Sequence, residues 1–569
     1  MCIRDSPDPD PDPDPDPDPD PVENSFSPFE KESGKPFADL SEVENIGTSV
    51  LPDTRQIGYF VFTTADNPGL PFNIACHVDR DRHRITALLP AGLDLSALIP
   101  TVAYYGDRLL VEGDEVISGE TVLDLRRDLT LTMRAKDGST QDVTVHLETL
   151  ATGLPSFAMT TEGYREITSK EEYMAASFYV GGGDQTVCYY AVEDSLLVPG
   201  RAKGRGNTSW GAEKKGYTVK LEKKAAFLDM PKSKNWSLIA NYEDKTLLRN
   251  YLAAYIGEQI EMEFVMQTRP VDLWYNGEYW GTYGLTEKIE IEKERVNITD
   301  YDDALPAEQQ GPQQVGYLLE FDSHVNEVPD DRRAQWQSFG PATYDPVTDE
   351  LFFQIDIGGK WVTIKKPSYK HLTEAHVQYI YDKVFAATTA LRSRNYTAVS
   401  RLMDVQSFVQ WYLVEEFMNN TDSSMHSSVY MTLDVGGKFK LGPIWDFDRS
   451  SGNCDYWNPE NEPDSLYRSG AGWFRYLFEM PEARDILRSE WAVFKQKIAD
   501  LDNQIDSWAA MIDRSQQLNF QRWDILDFKV GANPPAVVNA HTYEAQIELL
   551  KDFLAVRRVR MDSFYRTIG

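Results

Sequence analysis

Two short stretches hold the side chains most able to do chemistry. Asn419-Asn420-Thr421-Asp422 is a polar, turn-forming interruption after an apolar helical run from Phe408 to Met418, and it leaves one carboxylate, Asp422, at its mouth. About a strand later, Gly442-Pro443-Ile444-Trp445-Asp446-Phe447-Asp448 ends in two carboxylates flanking an aromatic ring. Ser427 to Asp434 alternates like a strand, Gly436-Gly437 turns, and Phe439 to Ile444 reads as a second strand. A hairpin therefore carries the two stretches to one neighbourhood. Oxygen-only donors of this kind suit Mg²⁺ or Mn²⁺, and a carboxylate left over suits a general base.

A different chemistry is encoded upstream. In Gly204-Arg205-Gly206-Asn207-Thr208-Ser209-Trp210 the glycines let backbone N–H groups approach an anion, and Arg205, Lys214 and Lys215 add positive charge. That is a phosphate cradle in principle, although a lone glycine-rich turn is more often only a turn. If Lys214 to Leu221 is one strand, Lys215 shares a face with Tyr217, Val219 and Leu221. Lys215 is then the lysine predicted to point inward, with Lys220 as second choice; a plain solvated basic strand is the bland alternative. Asp-x-Asp alone also occurs in sugar transferases and phosphatases, and the Asp422 segment alone could be a helix cap and turn. The order of the parts carries more: basic glycine loop, helix, hairpin, loop aspartate, hairpin, second aspartate. Protein kinases use that order. Their lysine holds phosphates, their loop aspartate accepts the acceptor's hydroxyl proton, and their later aspartate holds Mg²⁺.

The elements that must position these groups come from the rest of the chain. Its 569 residues allow about two or three domains. A hydrophobic content of 41% with 12% aromatics fits a globular protein. The net charge of -33 repels nucleic acid and anionic lipid, so neither is an expected partner. The four cysteines have no metal-ligand spacing and are too few for a disulfide framework. No apolar run reaches membrane-spanning length. No signal peptide is visible, but the chain starts abruptly with Met1 to Ser6 before a dipeptide repeat, which leaves room for a leader or a lipid anchor upstream.

Residues 1–52 read as a linker. Within them residues 7–21 are a Pro-Asp repeat in which proline forbids helix and each aspartate repels the next, giving a stiff solvated tether. Residues 53–150 change to short alternating runs, such as Tyr59 to Phe62, Leu129 to Met133 and Val143 to Leu147, with turn residues at the spacing of a β-sandwich. This stretch loosely resembles the immunoglobulin-like domains that precede catalytic domains in surface proteins of the Bacteroidota. It has no cluster of acids, histidines or nucleophiles, and its expected role is spacing or adhesion. Residues 154–569 mix strands and helices. Leu247 to Ile260 reads as an apolar-faced helix. Val271 to Tyr275 and Tyr279 to Thr286 form a hairpin across Asn276-Gly277, ending at Glu287-Lys288, and the last hundred or so residues are mostly helical.

This third region resembles the CotH kinase family, the spore-coat-protein-H-like atypical protein kinases. The matching pieces are Arg205 to Ser209, Lys214 to Tyr217, Leu248-Arg249-Asn250, Asn276 to Tyr283 leading to Glu287, Asn419 to Asp422, and Trp445 to Asp448. Each is weak alone, and their combination is specific. The resemblance implies an α+β, atypical protein-kinase-like catalytic domain with a helical C-terminal part, behind an all-β sandwich. It implies transfer of the ATP γ-phosphate to Ser/Thr hydroxyls of coat or surface proteins, with Mg²⁺ or Mn²⁺, in an exported, extracellular or cell-surface protein. The catalytic aspartate falls on Asp422 and the metal-binding one on Asp446, with Asp448 beside it. Nucleotide contacts fall on Arg205, Asn207, Lys215, Lys220 and Glu287, where a plain strand end is about as good an account of Glu287. The chain departs from the pattern at one place. Five residues after the loop aspartate, where kinases carry a second metal-binding Asn, stands Ser427, a weaker ligand, and Asp448 could compensate. The nearby His426 is read as a surface or packing residue. A catalytically silent scaffold is the alternative function; an Asp-metal nucleotide-sugar transferase or phosphohydrolase ranks third.

Overall fold

The computed structural model describes residues 55–567, apart from 189, 191–195, 356–359, 422, 424, 426 and 456–471. The N-terminal unit contains β1 (Gln56–Phe62), β2 (Ile74–Ala75), β3 (His77–Asp79), β4 (Arg84–Pro90), β5 (Thr101–Tyr105), β6 (Arg108–Val111), β7 (Asp114–Glu115), β8 (Leu129–Arg134) and β9 (Thr140–Leu150). They form a three-stranded sheet, β2-β1-β5, and a six-stranded one, β3-β4-β9-β8-β6-β7, in which β4 and β9 run parallel. Alternate residues of both sheets, among them Phe60, Phe62, Leu89, Leu131 and Val145, enter one apolar core, as period-two patterning requires.

That core does not stop at the unit's edge. Trp274 and Tyr279, from the next region, and Leu518, from the C-terminal part, belong to it. Phe72 packs its ring 5.4 Å from that of Trp274, and the Ala75 N–H donates to the Gly277 carbonyl at 3.0 Å. The expected spacer is therefore docked on its neighbour through a shared core.

The next region is a closed barrel: β10 (Ser156–Thr161), β11 (Met174–Gly181), β12 (Leu196–Arg205), β13 (Gly216–Phe227), β14 (Met230–Ile239), β15 (Thr268–Tyr275) and β16 (Glu278–Glu287), in the order β10-β11-β12-β13-β14-β16-β15. Parallel pairing of β10 with β15 closes it. The β15–β16 turn has Asn276 and Gly277 both at positive φ, 51° and 89°, as its Asn-Gly sequence demands. Helix α1 (Arg249–Gln259) crosses between β14 and β15.

A second sheet follows. Its strands are β17 (Tyr317–Phe321), β18 (Gln337–Phe339), β19 (Ala342–Asp345), β20 (Glu350–Gln354), β21 (Trp361–Lys366), β22 (Val429–Leu433) and β23 (Phe439–Leu441), ordered β18-β19-β20-β21-β17-β22-β23. The short α2 (Asp330–Arg333) lies within it in sequence, and α3 (Glu374–Arg392), α4 (Tyr396–Leu402) and α5 (Val405–Met418) separate β21 from β22. The C-terminal part holds α6 (Gly472–Leu477), α7 (Pro481–Lys497), α8 (Leu501–Met511), α9 (Asp513–Arg522), α10 (Pro535–Val538) and α11 (Tyr543–Thr567). Helix α5 is buried over most of its circumference, from Trp411 to Met418 without a break, and α1, α7 and α11 pack on it. No helix among the described residues is long and apolar enough to cross a membrane.

Candidate active site

A cleft of about 780 Å³ opens between the barrel rim and the second sheet. Arg205, the last residue of β12, enters from the barrel with Gly206 and Asn207. Gly206 sits at φ 105°, and a Cβ there would meet the Ser209 hydroxyl at 2.2 Å, so only glycine can make this turn. Glu320 on β17, Lys365 on β21 and Tyr430 on β22 line the opposite wall, and Glu320 and Tyr430 face each other in register. Ser427, Ser428, Trp445, Asp446 and Asp448 complete it.

The two carboxylates of the Trp445 to Asp448 segment reach this cleft because the peptide chain is bent there. Phe447 is buried and anchors the segment, while Asp446 on its left is exposed at φ 70°, a left-handed conformation that turns its side chain into the cleft. The Arg205 guanidinium lies over the Trp445 ring, 5.7 Å from its centroid. Burial pushes the proton affinity of Arg205 down, and the charges of Asp446 and Asp448 push it back up. The Ser428 hydroxyl donates to Asp446 Oδ2 at 3.3 Å.

The two aspartate stretches do meet. The Asn420 amide donates to the Asp446 carbonyl at 3.2 Å, and the Ser451 N–H donates to the carbonyl of Met418, at the end of α5, at 2.6 Å. Asn419 closes α5 in a left-handed conformation, φ 46°, and directs the chain toward the cleft. Asp422, the expected base, lies outside the described residues, as does His426; the flanking Thr421 and Ser423 are buried.

Arg205, Asn207, Ser427, Asp446 and Asp448 thus share the cleft; of the other predicted positions, the three described ones, Lys215, Lys220 and Glu287, do not line it. Lys215 donates to the Trp210 and Ala212 carbonyls at 3.1 and 2.8 Å. The inward lysine is Lys214, which is 1% exposed and donates to the Thr282 carbonyl at 2.6 Å and to Asn519 Oδ1 at 2.8 Å. Burial holds its amine well below the usual lysine range. The reason for the exchange is local: β13 begins at Gly216, so both lysines lie in a bend that strand alternation does not govern. Lys220 does belong to β13, but it sits opposite Arg201, and its charged surroundings are Arg201, Glu290, Lys288 and Lys366. Glu287 is fully buried; it accepts from the Gln267 N–H at 2.9 Å and from Arg295 Nε at 3.2 Å, and burial raises its carboxyl. Ser427, on the cleft wall, places its hydroxyl 3.3 Å from His324 Nδ1, and it is Ser428 that meets Asp446.

Sequence reasoning overlooked several cleft groups. His324 Nδ1 lies 2.8 Å from Asp322 Oδ1, which raises the affinity of the imidazole for its proton. Lys365 pairs with both Glu320, at 3.3 Å, and Glu350. Lys170 reaches the Gly206 carbonyl at 3.0 Å. An Asp-x-His directly after the mostly apolar run from Tyr317 to Phe321 was a legible signal; Lys170, in an unpatterned loop, gave none. Behind Asp446 lies a smaller slot of about 40 Å³, lined by Ile239, Asn250, Ala253, Met266, Thr286 and Ile444 among others. At that size it has room for about one or two waters, and a nucleobase would have to widen it.

Among the described residues no three His, Cys, Asp or Glu side chains form a ready-made metal cage. A hard cation such as Mg²⁺ needs only one or two carboxylates and completes its shell with water and phosphate oxygens. Asp446 and Asp448, with the Ser428 hydroxyl, are oxygen donors of that hard type.

A family model described as "CotH kinase protein" matches residues 202–561. No curated protein matches the chain. Among solved structures, a candidate glycoside hydrolase from Bacteroides thetaiotaomicron aligns over 56% of this chain and 91% of its own at 11% identity, with a TM-score of 0.14, too low for its fold to bear on this one.

Proposed function

The chain belongs to the CotH kinase family, and on that premise we propose that its cleft transfers the ATP γ-phosphate to a Ser/Thr hydroxyl of a surface or coat protein. The observation that carries this reading is the convergence of Arg205, from the barrel, on Asp446 and Asp448, beside residues that flank Asp422. A guanidinium beside two carboxylates suits a charged phosphate complex: the carboxylates would hold a divalent cation and Arg205 would hold phosphate oxygens.

Bound Mg²⁺ or Mn²⁺ would neutralise charge on the transferring phosphoryl group. The chain's own part is positioning. Asp446 and Asp448 hold the cation site, and Arg205 with the Gly206-Asn207 turn orients phosphates. Asp422 accepts the proton from the acceptor hydroxyl. The acceptor oxygen forms its bond to the γ-phosphorus as the bond to the bridging oxygen breaks, and ADP leaves. We place this activity outside the cell or on its surface. The motif set and the acidic Pro-Asp tether support that placement. Nucleic acid is not an expected partner for so acidic a chain.

One observation favours a catalytically silent relative: Ser427 is engaged with His324 instead of facing Asp446. Incubation of the full chain with γ-labelled ATP and Mn²⁺ decides between the two. Label on the protein or on added casein, absent from Asp422→Ala and Asp446→Ala, supports transfer; equal labelling by both variants removes it. Absence of any thermal shift with ATP and Mn²⁺ would leave the silent form.

A further inference from the structure

The peptide bond between Asp446 and Phe447 is held at both of its polar groups by asparagine side chains from distant segments. The Asp446 carbonyl accepts from Asn420 Nδ2 at 3.2 Å, and the Phe447 N–H donates to Asn250 Oδ1 at 2.9 Å. Asn250, on the first turn of α1, is itself oriented: its Nδ2 donates to Asn241 Oδ1 at 2.9 Å. Because the Phe447 N–H can only donate, it fixes which end of the Asn250 amide faces it, and the bond to Asn241 uses the other end.

The residue gripped in this way is strained. A left-handed backbone at a residue with a Cβ costs about 1–2 kcal/mol, and Asp446 adopts it at φ 70°. Without the grip, the segment would relax to a right-handed or extended conformation and swing the carboxylate out of the cleft. Two further contacts hold the following turn and leave Asp446 untouched. Arg249, next to Asn250, donates through Nε to the Ser450 carbonyl at 2.9 Å and pairs with buried Asp244, while Arg449 forks onto Glu243 at 2.8 and 3.0 Å. Those contacts explain why the loop is attached. They leave unexplained why Asn250 and Asn420 spend both their amides on one peptide bond.

We infer that Asn250 and Asn420 are positioning residues which lock Asp446 in its left-handed conformation and so hold its carboxylate at a divalent-cation site. The inference rests on the cation-dependent reading of the cleft. Neither asparagine lines the large cleft, although Asn250 borders the small slot behind Asp446. Removing the grip should change how tightly the cation is held and how fast the reaction runs, and should leave the nucleotide KM nearly alone.

The test uses the full chain and four variants: Asn250→Leu, which keeps the shape and removes both hydrogen bonds; Asn250→Asp, which keeps the acceptor for the Phe447 N–H; Asn420→Ala; and Asp446→Ala. Three quantities are read: Mn²⁺ affinity by electron paramagnetic resonance, hydrogen exchange over residues 445–449, and phosphate transfer. For Asn250→Leu we expect faster exchange, about 10- to 100-fold weaker Mn²⁺ binding and a similar loss in kcat, with the ATP KM within about threefold. Asn250→Asp should recover Mn²⁺ affinity to within about threefold of the parent. Where Asn250→Leu does not fold, Asn420→Ala, at the other end of the same peptide bond, should show the same signature. Faster exchange with unaltered Mn²⁺ affinity in either variant overturns the inference, and so does an Asn250→Asp variant as impaired as Asn250→Leu. An Asp446→Ala variant that binds Mn²⁺ as the parent does overturns the cation reading beneath it, and the exchange measurement then still decides whether the grip exists.

Discussion

Asp272 and Asp446 place the same side chain in opposite surroundings. Asp272, on β15, is 2% exposed and accepts from three hydroxyls: Thr152 at 2.5 Å, Ser515 at 2.6 Å and Tyr279 at 3.0 Å. Those donors come from the connection between β9 and β10, from α9 and from β16, so one carboxylate ties the N-terminal unit, the barrel and the C-terminal part together. Asp446 is exposed to the cleft, stands on a strained backbone and faces a guanidinium. Saturated hydrogen bonding on a relaxed strand is what a structural carboxylate looks like. A carboxylate exposed to a cleft on a left-handed turn, beside a guanidinium, is what a working one looks like.

The largest expected effect falls on the working side. Asp446→Ala should lower phosphate transfer by about 10³-fold or more, the several kcal/mol a metal ligand supplies, while the unfolding free energy moves by no more than about 1 kcal/mol. Kinetics and a denaturant titration on one preparation check both halves. A variant that lost stability instead of activity would erase the contrast with Asp272.

Asp272→Leu should reverse that pattern. It strands the hydroxyls of Thr152, Ser515 and Tyr279 in an apolar junction, a cost of about 1–3 kcal/mol per unsatisfied group, with transfer by the folded fraction nearly unchanged. Limited proteolysis near Thr152 should quicken with it, since the N-terminal unit loses one of the polar contacts that hold it on its neighbour.

The same carboxylate predicts a pH dependence. Burial pushes the Asp272 pKa up to about 6 against the hydroxyl bonds that pull it down. The folded chain then binds a proton, between about pH 4 and pH 6, that the unfolded chain has already released, so this group's contribution to stability falls as pH rises through that window and stays low above it. Asp272→Asn cannot ionise. The stability of the parent relative to that variant should therefore decline from pH 4 to pH 7, by roughly 2 kcal/mol at the order-of-magnitude level, and be flat above. A difference that grew with pH would assign the buried charge the opposite sign.

How far the sequence discloses each region follows from the range of the forces involved. The Asn276-Gly277 hairpin, helix α5, the C-terminal helices and the strands of the N-terminal unit are all written in local periodicity and turn chemistry, and the structure has them close to their predicted places. Pairing of Ser156 with Asp272, which closes the barrel, joins segments with no local signal between them, and so does the seating of Phe72 on Trp274. Asp446 and Asp448 were legible as chemistry because two carboxylates beside a tryptophan satisfy no core and no helix face. Asn250 and Asn420 were visible only as members of matching motifs; their role depends on a left-handed φ at Asp446, which an aspartate permits but does not announce. His324 was missed although Asp322, capping the turn after β17, stood two residues before it in sequence.

The smallest effects belong to the lysines, and they sharpen the comparison where the sequence pointed the wrong way. Lys215 caps the turn after Trp210 through two carbonyls, and Lys220 lies among Arg201 and Lys288 on the barrel wall. Lys215→Met and Lys220→Met should each leave ATP affinity within about twofold and stability within about 0.5–1 kcal/mol, the range for partly exposed positions. Lys214→Met is a different experiment despite its one-residue offset. It removes a buried amine that bridges the Thr282 carbonyl and Asn519, and with it the polar link between β16 and α9. Because that amine is desolvated without a paired carboxylate in hydrogen-bond reach among the described residues, replacing it by a methionine of similar length trades two hydrogen bonds for a relieved burial cost, and the change in stability should be small and of either sign. Isothermal titration with ATP and Mn²⁺ across the three variants separates them: a loss of affinity confined to Lys215→Met would return that lysine to the phosphates and redraw the cleft around the turn at Trp210.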